Sequence, residues 1–246
     1  MKNQYFGDVG DYGKYGLLRF IAKRGVSIAV NWYLTDGDAS NDGHIRGYLD
    51  NDRYRRYDPE LFGVLQEMRA HKEQNVCLFA ARDMIPSAIY FDNFVRPMIS
   101  DSRLSVADKR LARERWHQQA LAGCYGPELV FMDPDNGLRD GSPTARKDAQ
   151  KFVYASEVCS YYNRGQDVVY YCHKGRRTEA QWEKAKRIMK VRCPDAALLG
   201  VTYHRGTQRS YIFVLHPEKE AFYSGLLNDF LATAWKECFT WEIIGQ

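Results

Sequence analysis

Leu129-Val130-Phe131-Met132-Asp133-Pro134-Asp135-Asn136-Gly137 is the stretch that decides the fold. Its four large apolar residues predict a buried strand, and the acid, the proline and the turn dipeptide predict that the strand ends there. In an open α/β sheet, ligands bind where the strands end at their carboxyl termini. Asp133 and Asp135 are therefore candidate catalytic residues, and the simpler interpretation is an acidic turn that follows a core strand.

Strand-like and helix-like segments alternate outward from this stretch. Strands are predicted at 27–35, 129–132 and 167–172, with shorter candidate strands at 76–80 and 89–92. Helices are predicted at 15–23, at 105–122, at about 145–162, from 178 onward and at 218–235. The last two strands, 196–203 and 210–215, are joined by a tight polar link and predict a β-hairpin.

This order of elements predicts an α/β fold. We expect a Rossmann-like, mostly parallel sheet with a terminal antiparallel hairpin and helices on both faces. One domain is expected over 1–246, with a polar, helical insertion around 44–75. Right-handed crossovers place the strand ends near 36, 133 and 173 on one rim, which is the expected place for chemistry.

Composition narrows the class of protein. The 246 residues are 45% hydrophobic, which supports a substantial core, and the six cysteines lack a C-x-x-C pair, which disfavours a zinc site. The net charge of +4 is compatible with a polyanionic partner if the basic residues cluster. The first residues lack the apolar core of a signal peptide, and no run approaches the ~20 apolar residues of a membrane span. We therefore expect a cytoplasmic protein with no membrane partner.

Two loops are candidates for binding a cofactor. The spacing Gly7-x-x-Gly10-x-x-Gly13-x-x-Gly16 would let a backbone cradle a phosphate or carboxylate, although a flexible entrance segment explains the glycines equally well. The acidic loop after the first strand is the second candidate, although a solvated turn explains it more simply than a cation site does. The candidate cofactor-binding residues are Gly7, Asp11, Lys14, Asp36, Gly37 and Asp38.

Two further loops, at 170–177 and 203–209, share an order of residues that suits a polyanion. Each carries a histidine, a basic residue, a glycine and an arginine after a strand. Neighbouring strands would bring the loops together for phosphate contact or charge stabilisation, and solvated loop charges are the alternative. These loops supply the candidate catalytic residues His173 and Lys174 and the candidate nucleic-acid contacts Arg176, Arg177, His204 and Arg209.

The polar insertion alternates arginine with tyrosine at 53–57. Such a pattern can contact phosphates and stack on unpaired bases, so Arg55 and Arg56 are further candidate nucleic-acid contacts. An exposed helix face with salt bridges is the alternative. The basic residues along 103–115 are interpreted as such an exposed face because acidic residues are interleaved with them.

The closing hairpin resembles the last pair of strands in class I S-adenosylmethionine-dependent methyltransferases. In the adenine-N6 members the fourth strand ends in an Asp/Asn-Pro-Pro-aromatic motif, and 131–135 occupies the corresponding place here. The opening 7–18 resembles the Gly-Asn-Phe-Ala-Asp-Val-Leu-Lys-His opening of the J-type 23S rRNA adenine-N6 methyltransferases, with Gly7, Asp11 and Lys14 in register. The chain is also similar to the bacterial three-Cys-motif partner proteins, which share this fold.

The resemblance implies a methyltransferase that acts on nucleic acid, either RNA or DNA. It implies that the amino-terminal and first-strand loops hold S-adenosylmethionine and that Asp133 positions the acceptor. The sequence departs from the family motif, because Asp135 and Asn136 replace the second proline and the aromatic residue of the pocket for the target base. Methylation of adenine in particular is therefore not implied.

Two alternatives remain open. In a metal-dependent nuclease or phosphohydrolase, Asp133 and Asp135 would hold Mg²⁺, and His173, Lys174 or His204 would activate water or steady the phosphate. In a noncatalytic nucleic-acid or partner-binding module, the fold would persist without its chemistry. That second alternative would account for the altered motif.

Overall fold

Strands and helices alternate along most of the chain in the computed structural model, which describes residues 1–37, 45–95, 103–144, 146 and 148–244. The strands are β1 (Ile28–Asn31), β2 (Ile89–Phe91), β3 (Leu129–Met132), β4 (Gly137–Arg139), β5 (Phe152–Tyr154), β6 (Asp167–His173), β7 (Ala197–Tyr203), β8 (Arg209–Leu215) and β9 (Phe239–Trp241). The helices are α1 (Val9–Ala22), α2 (Pro59–Ala70), α3 (Val76–Ala81), α4 (Val106–Gly123), α5 (Ala155–Tyr162), α6 (Glu179–Lys186), α7 (Ile188–Arg192) and α8 (Glu220–Ala232).

Seven strands form one sheet in the order β2-β1-β3-β6-β8-β7-β9. The first four of these run parallel, and β8, β7 and β9 complete the sheet through antiparallel pairings. The predicted Rossmann-like α/β fold with an antiparallel hairpin is therefore confirmed. The hairpin is not at the edge of the sheet, because β9, which the sequence did not predict, pairs with β7 beyond it.

The carboxyl ends of β1, β3 and β6 lie on one rim, as predicted. Met132 pairs with Asn31 on one side and with Tyr170 on the other, so the segments that follow β1 and β3 leave the sheet side by side. The strand order reverses between β1 and β3, because β2 lies on one side of β1 and the later strands lie on the other. In open α/β sheets, a reversal of this kind opens a crevice that ligands occupy.

Alternation of side chains along β3 divides the apolar core between the two faces of the sheet. Leu129 and Phe131 belong to a cluster with α1, α2 and α8, and Val130 and Met132 belong to a second cluster with α4, α5, α6 and α7. Both faces are covered by helices, which explains why the strand is a continuous apolar run. None of the helices within the described ranges is long and apolar enough to cross a membrane.

The insertion is helical, as predicted, but it is more than a polar excursion. Two short 3₁₀ turns, Gly47–Asp50 and Asp52–Tyr54, precede α2, and the side chain of Asp58 caps that helix. One side of the insertion packs into the cluster that contains α1. Its buried apolar residues are Tyr48, Leu49, Leu61, Phe62, Leu65 and Met68.

Two segments differ from their predicted structures. The run at 76–80 lies in helix α3 rather than in a strand, because Asn75 caps the first turn and accepts a hydrogen bond from the Cys77 amide. The predicted helix at 145–162 forms only in its second half, as α5. Before it, the aromatic and β-branched residues of β5 pair in parallel with β4 and form a separate two-stranded sheet.

Candidate ligand-binding site

A crevice of about 400 Å³ opens on the rim where β3 and β6 end. The first turns of α1, the segment after β3, the end of β6 and the start of β8 contribute to its wall. Its volume is within the range of small-molecule binding sites. The predicted site residues that line the crevice are Asp11, Lys14, Asp133, Asp135, His173 and Arg209. Residues far apart in the sequence are therefore brought together by the sheet topology.

Lys14 connects α1 to the end of β3 through two buried ion pairs. Its Nζ atom lies 2.7 Å from Asp11 Oδ1 and 2.7 Å from Asp133 Oδ2, and all three side chains are buried. The other carboxylate oxygen of Asp11 accepts hydrogen bonds from the Gly7 amide at 3.1 Å and from the Tyr15 hydroxyl at 3.0 Å. Lys14 and both carboxylates therefore hold one another in fixed positions at the base of the crevice.

Burial and neighbouring charges shift the pKa values of Asp133 and Lys14 in opposite directions. Burial raises the pKa of Asp133, and the charge of Lys14 offsets only part of that rise. For Lys14, burial favours the neutral amine, but the charges of Asp11 and Asp133 outweigh it and raise the pKa. Lys14 therefore remains an ammonium ion at neutral pH, and its charge is committed to the two carboxylates.

Asp135 contacts different groups from Asp133. Its Oδ2 atom accepts a hydrogen bond from the Thr35 hydroxyl at 3.2 Å. Its Oδ1 atom forms an ion pair with the amino group of Met1 at 2.9 Å. The same amino group donates to the carbonyls of Tyr33 and Asp133. Asp133 and Asp135 therefore contact different groups, and no cluster of three or more potential metal ligands occurs in the described part of the chain.

Gly10, Gly13 and Gly16 lie within α1 and only Gly7 precedes it, so most of the predicted glycine-rich loop is helical. α1 begins at Val9, six residues before the predicted start, because Asp8 caps it by accepting from the Asp11 amide. The glycines allow close packing: a Cβ atom on Gly10 would lie 2.0 Å from the Arg209 guanidinium carbon, and one on Gly13 would lie 2.7 Å from the Tyr203 ring.

Asp8 and Arg209 form a second ion pair at the crevice, at 3.2 Å. Burial raises the pKa of Asp8 and the nearby charge of Asp11 raises it further, whereas Arg209 opposes both effects. Sequence analysis assigned Arg209 to nucleic-acid contact and did not select Asp8. The available signal was its position directly before a helix, where an aspartate acts as a cap.

Among the basic side chains at 173–177, the structure places only His173 in the crevice. Lys174 forms an ion pair with Glu179 outside it, and the Arg177 guanidinium donates to the His173 carbonyl. Arg176 is exposed. The predicted catalytic pair His173 and Lys174 is therefore divided between the crevice and the surface.

The two histidine loops lie on one rim but do not meet in one site. Arg209 pairs with His173 across β6 and β8 and with Tyr203 across β7 and β8, which places both loops beside the start of β8. His204, however, turns toward β9, where its Nε2 atom lies 2.8 Å from the Thr240 hydroxyl. Because it contacts the edge strand β9, His204 does not line the crevice.

The other predicted residues lie outside the crevice. Arg55 contacts Asp52 and Gln66, and Arg56 pairs with Glu237, so both arginines belong to surface networks. Asp36 and Gly37 are exposed and do not line the crevice. Asp38 lies outside the described residues.

Besides Asp8, the lining residues that sequence analysis did not select include Tyr171, Tyr211 and Lys151. Tyr171 and Tyr211 belong to β6 and β8, and their side chains reach the crevice because alternate residues of each strand point to the same face. The Tyr211 hydroxyl is buried without a partner in the described structure. Lys151 directly precedes β5 and Asn136 directly precedes β4. The Asn136 amide donates to the Lys151 carbonyl at 2.8 Å, and this contact places Lys151 beside the crevice. Of these three residues, only Tyr171 and Tyr211 carried a signal in the sequence, namely alternation within a predicted strand.

A second buried charge pair supports the site from the opposite face of the sheet. Arg113 was interpreted as part of an exposed basic face, but its guanidinium is buried and binds Glu157 through contacts of 2.7 and 2.9 Å. Tyr33, in the segment that follows β1, donates to Glu157 at 3.1 Å. Burial alone would raise the pKa of Glu157, but the charge and hydrogen bonds of Arg113 lower it. The helices α4 and α5 are therefore tied to the end of β1.

Comparison with known proteins gives no assignment: no protein-family model matches the chain, and no curated protein sequence matches it.

Proposed function

We propose that the protein is an S-adenosylmethionine-dependent methyltransferase-like enzyme that acts on nucleic acid and uses the crevice as its reaction site. The observation that carries the proposal is the position of Asp133, which follows β3 at the switch point of the sheet and faces the crevice. Lys14 holds this carboxylate in place. The antiparallel strands β7 and β8 also support the proposal, because a closing antiparallel pair is the feature in which the sequence resembles class I S-adenosylmethionine-dependent methyltransferases.

The residues of the crevice fit an adenosyl cofactor by their chemistry. The unsatisfied hydroxyl of Tyr211 is available for a hydroxyl or amino group of a ligand, and Arg209 can bind a carboxylate. Tyr171 adds an aromatic surface, and a volume of about 400 Å³ suits a ligand of nucleoside size. When bound, S-adenosylmethionine supplies an electrophilic methyl group.

Asp133 orients the acceptor in this proposal. A carboxylate fixed by Lys14 accepts a hydrogen bond from the acceptor group without first having to reorganise, which lowers the cost of reaching the reactive geometry. The separate partners of Asp133 and Asp135 favour this role over a shared metal site. No pocket for a stacked base is assumed, because the aromatic residue of the family motif is replaced by Asn136.

Adenosyl ligands are expected to stabilise the protein in a thermal-shift experiment. At about 100 times its dissociation constant, a ligand adds roughly 2.7 kcal/mol to the free energy of unfolding, or about 5–10 °C in Tm for a chain of this size. S-adenosylmethionine and S-adenosylhomocysteine should both produce the shift. Asp135→Asn should reduce it because this substitution alters the crevice, whereas the matched change Asp36→Asn lies outside the crevice and should leave it intact.

The same titration distinguishes the three function classes. A shift with Mg²⁺ or Mn²⁺ that Asp135→Ala abolishes, with no response to either adenosyl ligand, would contradict the methyltransferase proposal and favour a nuclease. Binding of nucleic acid without a response to any of these ligands would favour a noncatalytic module.

Single-stranded RNA or DNA is expected to bind beside the crevice with an affinity that falls as salt rises. Lys151 lines the crevice, and Arg176 is exposed three residues after His173, so the double variant Lys151→Ala/Arg176→Ala removes charge there while avoiding the ion pair of Arg209. Loss of two phosphate contacts should reduce the slope of log affinity against log salt by about 1.4.

The control for this measurement is Lys219→Ala. Lys219 lies beyond the end of β8, near Glu128, which directly precedes β3, and therefore on the opposite rim of the sheet. Fluorescence anisotropy at several salt concentrations should show an unchanged slope for this variant. Equal slopes for the double variant and the wild type would place the nucleic-acid surface elsewhere.

A further inference from the structure

Two cysteines that take no part in the crevice lie side by side on the opposite face of the sheet. Cys159 is on α5 and Cys193 directly follows α7, and their Sγ atoms are 3.2 Å apart. The sulfur atoms of a disulfide are about 2.05 Å apart, so a relative movement of about 1 Å would allow the bond to form. The two residues are far apart in the sequence, and no spacing motif predicted their contact.

The two thiols differ in accessibility and in acidity. Cys159 is partly exposed, whereas Cys193 is 4% exposed. The hydrogen bond with Cys193 and the positive charge of Arg192 lower the pKa of Cys159 to about 7, against the effect of burial. The same contact, burial and the negative charge of Asp195 raise the pKa of Cys193. Cys159 therefore supplies a thiolate near neutral pH, and Cys193 retains its proton.

Cys77 provides a contrast within the same chain. It is also partly exposed, but its Sγ atom contacts Asp92 at 3.1 Å, and burial together with this carboxylate raises its pKa to about 11. The remaining cysteines, Cys124, Cys172 and Cys238, are buried. Among the six cysteines, Cys159 alone combines access to solvent, a lowered pKa and a neighbouring thiol.

We propose that Cys159 is an oxidation site for hydroperoxides and that Cys193 resolves the oxidised form as a disulfide between α5 and the end of α7. The proposal is independent of the methyltransferase assignment. It rests on the contact between the two sulfur atoms and on the accessibility of only one of them.

The chemistry requires only a hydroperoxide. The Cys159 thiolate attacks the terminal peroxide oxygen, so an S–O bond forms, the O–O bond breaks and the leaving oxygen takes a proton from solvent; it departs as water from hydrogen peroxide and as an alcohol from an organic hydroperoxide. Cys193 then attacks the sulfur of the sulfenic acid; the S–S bond forms, the S–O bond breaks, and the thiol proton leaves with the hydroxide as water. With hydrogen peroxide, two thiols and one peroxide give one disulfide and two waters, and the sulfur atoms supply the two electrons.

The disulfide would restrain a helix that braces the candidate site. α5 carries Glu157, which accepts from the Tyr33 hydroxyl, and Tyr161, whose hydroxyl accepts from the side-chain amide of Asn31 at 3.2 Å. Linking α5 to the chain after α7 closes a loop of about 30 residues, and such links reduce the conformational freedom of the unfolded chain. We expect oxidation to raise Tm by about 5 °C or more.

Peroxide treatment of the full-length native protein tests the proposal. Brief exposure to hydrogen peroxide, followed by alkylation and peptide mapping, should give a Cys159–Cys193 cross-linked peptide before Cys77 is modified. In the reduced protein, iodoacetamide should modify Cys159 at least about tenfold faster than Cys77 at neutral pH. The comparison needs no variant, so it does not depend on whether a substituted chain folds.

Two variants test the separate roles of Cys159 as the oxidation site and Cys193 as the resolving thiol. Cys193→Ser should let Cys159 accumulate as a sulfenic acid that dimedone labels, without a cross-link, and Cys77→Ser should leave the cross-link unchanged. Equal alkylation rates at Cys159 and Cys77 would overturn the proposal. So would peroxide products at Cys159 that never include the cross-linked peptide in the wild-type protein.

Discussion

Lys14→Met is expected to lower the free energy of unfolding by about 3–5 kcal/mol, because removal of one partner leaves buried charge without compensation. Lys14 is 4% exposed and is the shared partner of Asp11 and Asp133. Methionine retains much of the length and apolar character of the lysine side chain, so the loss reflects charge rather than volume. Urea denaturation at pH 7 measures the effect.

The matched control for Lys14 is Lys23→Met at the end of the same helix. Lys23 is half exposed and its pair with Glu60, at 3.2 Å, lies at the surface, so a change of about 0–1 kcal/mol is expected. Adding Asp11→Asn and Asp133→Asn to Lys14→Met should recover part of the lost stability because the unpaired charges are then absent. Similar losses for Lys14→Met and Lys23→Met would mean that the buried cluster has no special importance for the fold.

Arg113→Met is expected to be similarly costly, at about 3–5 kcal/mol, because it leaves the buried carboxylate of Glu157 without its guanidinium. The control is Arg110→Met on the exposed side of α4, where a surface change typically stays within about 0.5 kcal/mol. The double variant Arg113→Met/Glu157→Gln should be more stable than Arg113→Met. If the single and double variants were equally unstable, lost packing rather than unpaired charge would be the cause.

The loss of stability caused by Arg113→Met should depend on pH. In the wild type the folded-state pKa of Glu157 is lowered, so its contribution is present above the ordinary glutamate pKa and is lost as pH falls through the folded value. Without Arg113, burial raises that pKa, and the destabilisation grows as pH rises through the new value. The deficit of Arg113→Met relative to the wild type should therefore be smaller at pH 4 than at pH 7.

Local sequence patterns were sufficient to predict most of the strands and helices. The apolar run at 129–132, the alternating strands of the hairpin and the capping box at Thr178 each predict their structures from neighbouring residues, and all three form. These predictions succeed because strand burial, hairpin closure and helix capping depend on short-range contacts. They also placed Asp133 and His173 on the correct rim, since strand direction follows from the order of elements.

Local patterns failed where a partner distant in the sequence decides the outcome. The glycines of α1 were interpreted as a loop because their packing against Arg209 and Tyr203 depends on the hairpin, nearly 200 residues away. Arg113 was interpreted as exposed because α4 has no clear apolar side, and its burial depends on Glu157 of another helix.

The rim position of Asp133 and the fold class thus follow from the order of strands and helices, which hydrophobic periodicity and turn residues specify locally. The tertiary structure alone decided that Lys14 neutralises Asp133, that Asp135 turns toward Thr35 and that Cys159 meets Cys193. A side chain selects such partners only after the sheet has assembled, because burial in a medium of low polarity makes an unpaired charge or polar group costly.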